Sequence, residues 1–303
     1  MRTAAVMFLL LGFTPLAPAQ PNRPPAKVVP WLPEGSKVEK NLAYGPHERN
    51  KLDIYLPPGD GPKPLLIWVH GGAWRAGSKD GGNPALRFLD KGYAVAAINY
   101  RLSQQALFPA QIEDCKAAVR WLRANAKKYN LDADHFGAWG ASAGGHLVAL
   151  LGTTGDAKDL DGDGGNRGTS SRVQAVCDWF GPTDFSKEAE QALPDSAIDR
   201  TKPDCPEALL VGGPLAEHPD RVKRANPITY IGKNCPPFLI VHGDKDNVVP
   251  VGQSRLLQDA LKVAGVESTL LVIPGAGHGS GIGTPDQMRQ IEAFFDRQLK
   301  VKK

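Results

Sequence analysis

Cysteine is scarce in this 303-residue chain, and none of the four stands in a CxxC pair. That spacing removes the clustered thiolates of a structural zinc site. Past the first residues no run is apolar for the ~18 residues that a membrane-spanning helix needs. Charge of one sign is lacking too. The formal net charge is only +4, from 36 Lys and Arg against 32 Asp and Glu, and is spread along the chain. It gives no basis for a nucleic-acid partner or an anionic membrane. No segment repeats, which excludes solenoids and propellers. Gly and Pro, 33 and 26 residues, make up about a fifth of the chain, short of the share that marks a disordered protein. With 42% hydrophobic and 22% charged residues, a globular enzyme or binding domain remains.

The first residues read as an export signal. Arg2 supplies positive charge, Ala4 to Phe13 are apolar, and Ala17-Pro18-Ala19 offers a small-x-small cleavage site. The expectation is a signal peptide over 1–19, a Pro-rich linker over 20–35 and one domain over 36–303, secreted or periplasmic and free of the membrane after cleavage. Cys115 lies in a helical pattern and Cys177 in an apolar strand, as buried thiols do. Cys205 and Cys235 lie beside prolines in loop-like sequence, so if one pair is bonded, those two are the expected disulfide.

From residue 36 onward strands alternate with helices. Residues 52–56 alternate apolar and polar, as an edge strand does, whereas 65–69 and 93–98 are almost continuously apolar, as strands covered on both faces are. Further strands are expected at 135–139, 173–180, 238–241 and 269–273. Helices are expected at 112–129, 143–152, 252–264 and 285–299. This alternation implies an α/β fold with a parallel, doubly covered sheet. Residues 183–233, rich in Pro, Asp and Gly, break the pattern and read as a cap-like insertion, a lid or substrate wall.

Two motifs sit at strand ends. The strand ending at Trp139 runs into Gly140-Ala141-Ser142-Ala143-Gly144-Gly145 and then a helix. This is G-x-S-x-G in the strand–turn–helix context of a nucleophile elbow, where small residues let Ser142 occupy a strained turn. His70-Gly71-Gly72-Ala73-Trp74 follows the 65–69 strand. Ester hydrolysis through serine creates an oxyanion that needs preorganised N–H donors, and the amides of Gly71 or Gly72 with that of Ala143 are the natural pair.

A serine nucleophile needs a base and an acid, in the chain order Ser…Asp…His. The 238–241 strand leads into His242-Gly243-Asp244-Lys245-Asp246, and the 269–273 strand into a glycine-flanked His278. His278 is therefore the base. The acid is Asp246 or Asp244, with Asp246 preferred because Asp244 is nearer the strand end and suited to tying the turn. The remaining histidines have other duties. His47 and His218 lie in polar loops, His135 opens a strand, His146 packs in a helix, His70 supports its turn and His242 orders the acid loop. Trp74, Tyr100, Trp179 and Phe180 stand at strand ends and are pocket candidates. Asp159, Asp161, Asp163 and Gly164 imitate the start of a calcium loop, but its twelfth position is Ser170 rather than Glu. No metal is expected.

These motifs, together with Asp53-Ile54-Tyr55-Leu56-Pro57, Asn99-Tyr100-Arg101-Leu102 and Phe108-Pro109-Ala110, stand in the order that secreted bacterial α/β-hydrolases of the esterase/lipase type show. The chain resembles the branch containing feruloyl and acetylxylan esterases, related to hormone-sensitive-lipase-like enzymes, over roughly residues 36–300. The resemblance implies an α/β-hydrolase fold with a mostly parallel eight-stranded sheet. It also implies a Ser142–Asp246–His278 triad, an oxyanion hole at Gly71 or Gly72 with Ala143, and no cofactor. Ala141 stands where relatives often carry Gly or Ser. Cys205 and Cys235 are unusual for the group. The expected activity is a serine carboxylesterase acting on short-chain acetyl or feruloyl-type esters, free or polysaccharide-linked. A non-catalytic binding protein on the same scaffold and a serine exopeptidase are the alternatives. The exopeptidase usually carries a large second domain, for which the chain has no room.

Overall fold

The computed structural model describes residues 32–300, so the expected signal peptide and most of the linker lie outside the described residues. The apolar runs become the inner strands of one eight-stranded sheet. Its strands are β1 (Lys37–Ala43), β2 (Lys51–Leu56), β3 (Lys63–Val69), β4 (Ala94–Ile98), β5 (Leu131–Ala141), β6 (Ala175–Trp179), β7 (Phe238–Gly243) and β8 (Ser268–Ile273). They lie in the order β1-β2-β4-β3-β5-β6-β7-β8. Only the β1–β2 and β2–β4 pairs are antiparallel. All the others are parallel.

Helices α1 (Ala110–Ala124), α2 (Ala143–Thr153) and α6 (Gly252–Val263) pack on one face, over Leu65, Ile67 and Val69. Helix α7 (Pro285–Leu299) and a 3₁₀ segment over Pro84–Lys91 cover the other, over Leu66, Trp68 and Trp139. At the centre of this second face Trp139 meets Trp68, Phe88 and Trp179 edge-on, with ring centroids 5.8, 5.7 and 5.0 Å away. Such contacts contribute about 0.5–1.5 kcal/mol each beyond the burial of area.

Two expectations are corrected. β2 is not the edge, because the charged and largely exposed β1 lies outside it. The polar member of its alternation, Asp53, is buried in an ion pair with Lys79 at 2.9 Å. The Cys205–Cys235 disulfide is absent, and all four cysteines are free thiols. Cys205 Sγ turns toward the Arg200 carbonyl, while Cys235 Sγ accepts from the Gly232 amide 3.4 Å away. The two sulfurs are thus engaged in separate turns.

The insertion carries three short helices, α3 (Glu188–Gln191), α4 (Pro206–Val211) and α5 (Pro219–Ala225). Pro starts α4 and α5, Gly212 ends α4 in the left-handed region, and each helix is too short to register as a period.

Alkylation of the native protein labels Cys235 first, since it alone is not fully buried. Unfolding without reductant exposes four reactive thiols. Mass spectrometry checks both, and a protein that needs reductant to release two of them contradicts the structure.

Candidate active site

Three backbones converge where β5 ends. Ser142 sits at φ 55°, ψ −123°, between the last residue of β5 and the first of α2. A non-glycine residue held there stores roughly 1–3 kcal/mol of strain, and its surroundings hold it. The Ser142 amide donates to the Trp179 carbonyl at 2.8 Å, tying the elbow to β6. A Cβ on Gly140 would lie 2.3 Å from the Gly144 oxygen, and one on Gly144 would lie 2.1 Å from the Val69 oxygen. The glycines of G-x-S-x-G are therefore spaces through which helix, elbow and β3 touch. A Cβ on Gly71 would lie 2.7 Å from the Ala141 oxygen and 3.3 Å from Ser142 Cβ, so the His70–Trp74 loop lies directly against the serine.

Ser142, His278 and Asp246 are brought together. His278 Nε2 is 3.0 Å from Ser142 Oγ, and His278 Nδ1 is 2.8 Å from Asp246 Oδ2. Asp246 Oδ1 accepts from the Val248 and Val249 amides at 2.9 and 2.8 Å. Burial pushes the Asp246 carboxyl upward, but hydrogen bonds from His242, His278 and the Val249 amide outweigh it and hold the group well below the carboxylate range. Asp244 has a different task, since its Oδ1 accepts from the Gly275 amide at 2.7 Å and fixes the turn beyond β8. The imidazole of His278 is held by the Phe180 ring, edge-on at 4.7 Å.

The Gly71, Gly72 and Ala143 amides have no acceptor among the described residues. Ala143 is the first residue of α2, where an amide has no intrahelical partner and the helix dipole adds positive potential. Gly72, Ala73 and Trp74 all have positive φ, at 112°, 54° and 56°, which curls this loop back on itself.

The pocket candidates divide. Phe180 touches His278, and Trp179 packs on Trp139 and beside Gly283. Trp74 and Tyr100 are corrections, because both are fully buried. The Trp74 indole lies against His146 and Phe185. Tyr100 stacks on His70 at 4.4 Å, and its hydroxyl donates to the His70 carbonyl at 2.9 Å. Each had the right place in the chain, but the ring turns inward to brace the glycine loop. Arg49 completes that brace by donating to the Tyr100 and Gly77 carbonyls at 2.8 and 3.0 Å. It stands alone in a polar loop, and no sequence pattern marks it.

Burial lowers His70 and His146 to about 4 each, so both are neutral supports at neutral pH. His146 Nε2 donates to the Ala225 carbonyl at 2.8 Å. The acids resembling a calcium loop are spent on cations. Asp161 pairs with Lys116 at 2.9 Å, Asp159 with Arg224 at 3.2 Å, and Asp163 with Arg167. Among the described residues no cluster of His, Cys, Asp and Glu is arranged to hold a metal.

With this geometry in view, likeness to known proteins is informative. The BD-FAE family profile matches residues 52–261. Esterase LipC of Mycobacterium tuberculosis (strain ATCC 25618 / H37Rv) is 33% identical over 247 residues, which are 79% of this chain and 59% of LipC. The chain spans between 51% and 61% of the curated mycobacterial relatives it matches. A solved truncated carbohydrate esterase from gut microbiota is 37% identical with a TM-score of 0.79, covering 88% of this chain and 97% of that one. A bifunctional GH43-CE protein of Bacteroides eggerthii is 39% identical with a TM-score of 0.80, covering 86% of this chain and 35% of that one.

Two predictions follow from the packing around the elbow. Gly144→Ala drives a methyl into the Val69 carbonyl and lowers stability by on the order of 3 kcal/mol, read as a fall in the urea midpoint. Asp178, fully buried on β6, is raised to about 6 by burial despite the hydrogen bond from the Gly181 amide. Its folded value exceeds the unfolded 3.8, so its contribution to stability is present below pH 3.8 and is lost as pH rises through 6. Asp178→Asn escapes that loss. Its advantage over the parent grows across this window to on the order of 2 kcal/mol and is flat above it, measured by urea denaturation at several pH values.

Proposed function

The chain belongs to the BD-FAE family of α/β-hydrolases, and on that premise we propose that it is a serine carboxylesterase. The observation that carries this reading is the continuous relay of Ser142 Oγ, His278 and Asp246 through contacts of 3.0 and 2.8 Å. His278 takes the Ser142 proton as Oγ attacks the ester carbonyl. Asp246 holds the imidazole in the tautomer whose Nε2 is free to accept that proton, and stabilises the charge it gains. The carbonyl oxygen becomes an oxyanion against the amides of Ala143 and of Gly71 or Gly72, which lie where no side chain intervenes. His278 then returns the proton to the leaving alcohol. A water activated by the same imidazole next attacks the acyl-enzyme and frees the acid and Ser142. The residues supply nucleophile, base, acid and oxyanion donors without a cofactor.

The substrate we propose is a short-chain acyl ester, acetyl or feruloyl in type, free or carried on a polysaccharide. Support comes from the carbohydrate-esterase neighbours and from the helices of the insertion, each of seven residues or fewer and too short to make a broad apolar lid for a long acyl chain. Export is proposed from the charge, apolar run and small-residue site of residues 1–19.

Hydrolysis of p-nitrophenyl acetate by the chain from Gln20 onward tests the reading. Ser142→Ala lowers kcat to background. Asp246→Asn, which leaves the fold but weakens control of the tautomer, costs on the order of 10³–10⁴ in kcat. Equal rates for the parent and Ser142→Ala contradict a serine esterase and favour a binding scaffold. If the serine esterase holds, acetylated and feruloylated oligosaccharides then assign the acyl group.

A further inference from the structure

The carboxylate of Asp246 carries one more partner than the relay requires. Oδ2, the oxygen that faces His278, also lies 3.3 Å from His242 Nε2. The tautomer of His242 follows from its neighbours. Its Nε2 is 2.9 Å from the Val249 carbonyl, which can only accept, so Nε2 carries the proton, given chiefly to that carbonyl and more weakly to Asp246 Oδ2 on its flank. Its Nδ1 then accepts from the Ser254 hydroxyl of α6 at 2.7 Å. Imidazole, serine and acid are all buried. The charged groups facing His242 are Asp246, Asp178 on β6 and, beyond Asp246, His278. Phe180 closes the remaining side.

We propose that His242 is a positioning residue that tunes the acid by donating to the same oxygen as His278. This inference rests on the Ser142–His278–Asp246 reading and deepens it. A donor on Oδ2 restrains the plane of the carboxylate and disperses its charge, so Asp246 orients His278 without holding its proton too tightly. Without the second donor the carboxylate is a stronger acceptor for His278 alone. The protonated imidazole is favoured, and the loss of activity on acidification begins at higher pH. Ser254 belongs to the device because it fills the nitrogen that would otherwise take the proton.

The test compares the parent with His242→Leu and His242→Gln, whose amide keeps a donor. If the leucine variant does not fold, His242→Asn, too short to reach Oδ2, replaces it. For the variant lacking the donor, kcat for p-nitrophenyl acetate falls on the order of 10-fold while KM stays within about twofold. The acid limb of kcat/KM moves upward by about half a pH unit or more, and His242→Gln restores both. The proton on His278 Nδ1, read by NMR without turnover, moves downfield in the donor-less variant. A purely structural role would lower stability and leave the acid limb and this resonance in place, which overturns the proposal. Absence of turnover in the parent, or turnover that survives Ser142→Ala, counts instead against the esterase reading, and the resonance alone then decides the role of His242.

Discussion

Everything at this site depends on how closely three backbones approach one another at Ser142. The β5–α2 turn, the end of β3 and the His70–Trp74 loop come within contact distance only because Gly140, Gly144 and Gly71 present no Cβ. That closeness brings the glycine loop and the start of α2 to Ser142, whose Oγ is 3.0 Å from His278 Nε2. The strained φ of the serine is affordable because the strands leading to it are buried on both faces. Preorganisation here is a packing property. On the proposed reading the donors need not move when an oxyanion forms, because the core has already fixed them.

Burial alone does not decide the protonation of the buried acids. Asp246 and Asp178 lie near adjacent strand ends, and burial raises both carboxyls. Asp246 answers it with two backbone amides and two imidazoles and stays ionised. Asp178 has one amide, from Gly181, and its Oδ2 has no partner among the described residues. Its carboxyl is shifted up toward neutrality. The difference of several hydrogen bonds separates a charge that can orient a histidine from a group that mainly fills the space beside Gly145. The turn Gly243 to Val249 exists to supply those bonds.

Much of this was legible in the sequence, and for identifiable reasons. Inner strands are long apolar runs because both faces are covered, and β3 to β8 were found within a few residues of their ends, the greatest error being at the start of β5. Ser142, Asp246 and His278 were marked by glycine-rich turns after such strands, a local signal. What failed were features set by partners distant in the chain. β1 is charged and exposed, with no pattern beyond one partner strand. The ion pair of Asp53 with Lys79, 26 positions on by sequence number, leaves no local sign in the sequence. Trp74 and Tyr100 stand at the right positions, but the direction of a ring depends on what packs behind it, here His146, Phe185 and His70. The same blindness applied to Cys205 and Cys235, whose loop-like settings say nothing of where the two sulfurs point.

The insertion over 183–233 illustrates how such distant partners define a site. Read as a polar stretch, it was equally a lid or a wall, and its bonds favour the wall. Arg200 reaches the Val248 carbonyl while its guanidinium is enclosed by Glu188 and Glu207. The Ala197 amide donates to the Asn247 carbonyl at 2.7 Å, and Gln253 of α6 accepts from the Thr183 and Asp184 amides, both at 2.7 Å. On the other side Ala225 takes the hydrogen bond of His146, one turn beyond Ser142 on α2. The insertion is thus fastened to the acid loop and to the nucleophile helix through buried polar bonds. Lifting it would strip the Val248 and Asn247 carbonyls, the Gln253 side-chain oxygen and the His146 imidazole of these partners, a cost of several kcal/mol. A segment fixed in this way suits a wall better than a lid that opens.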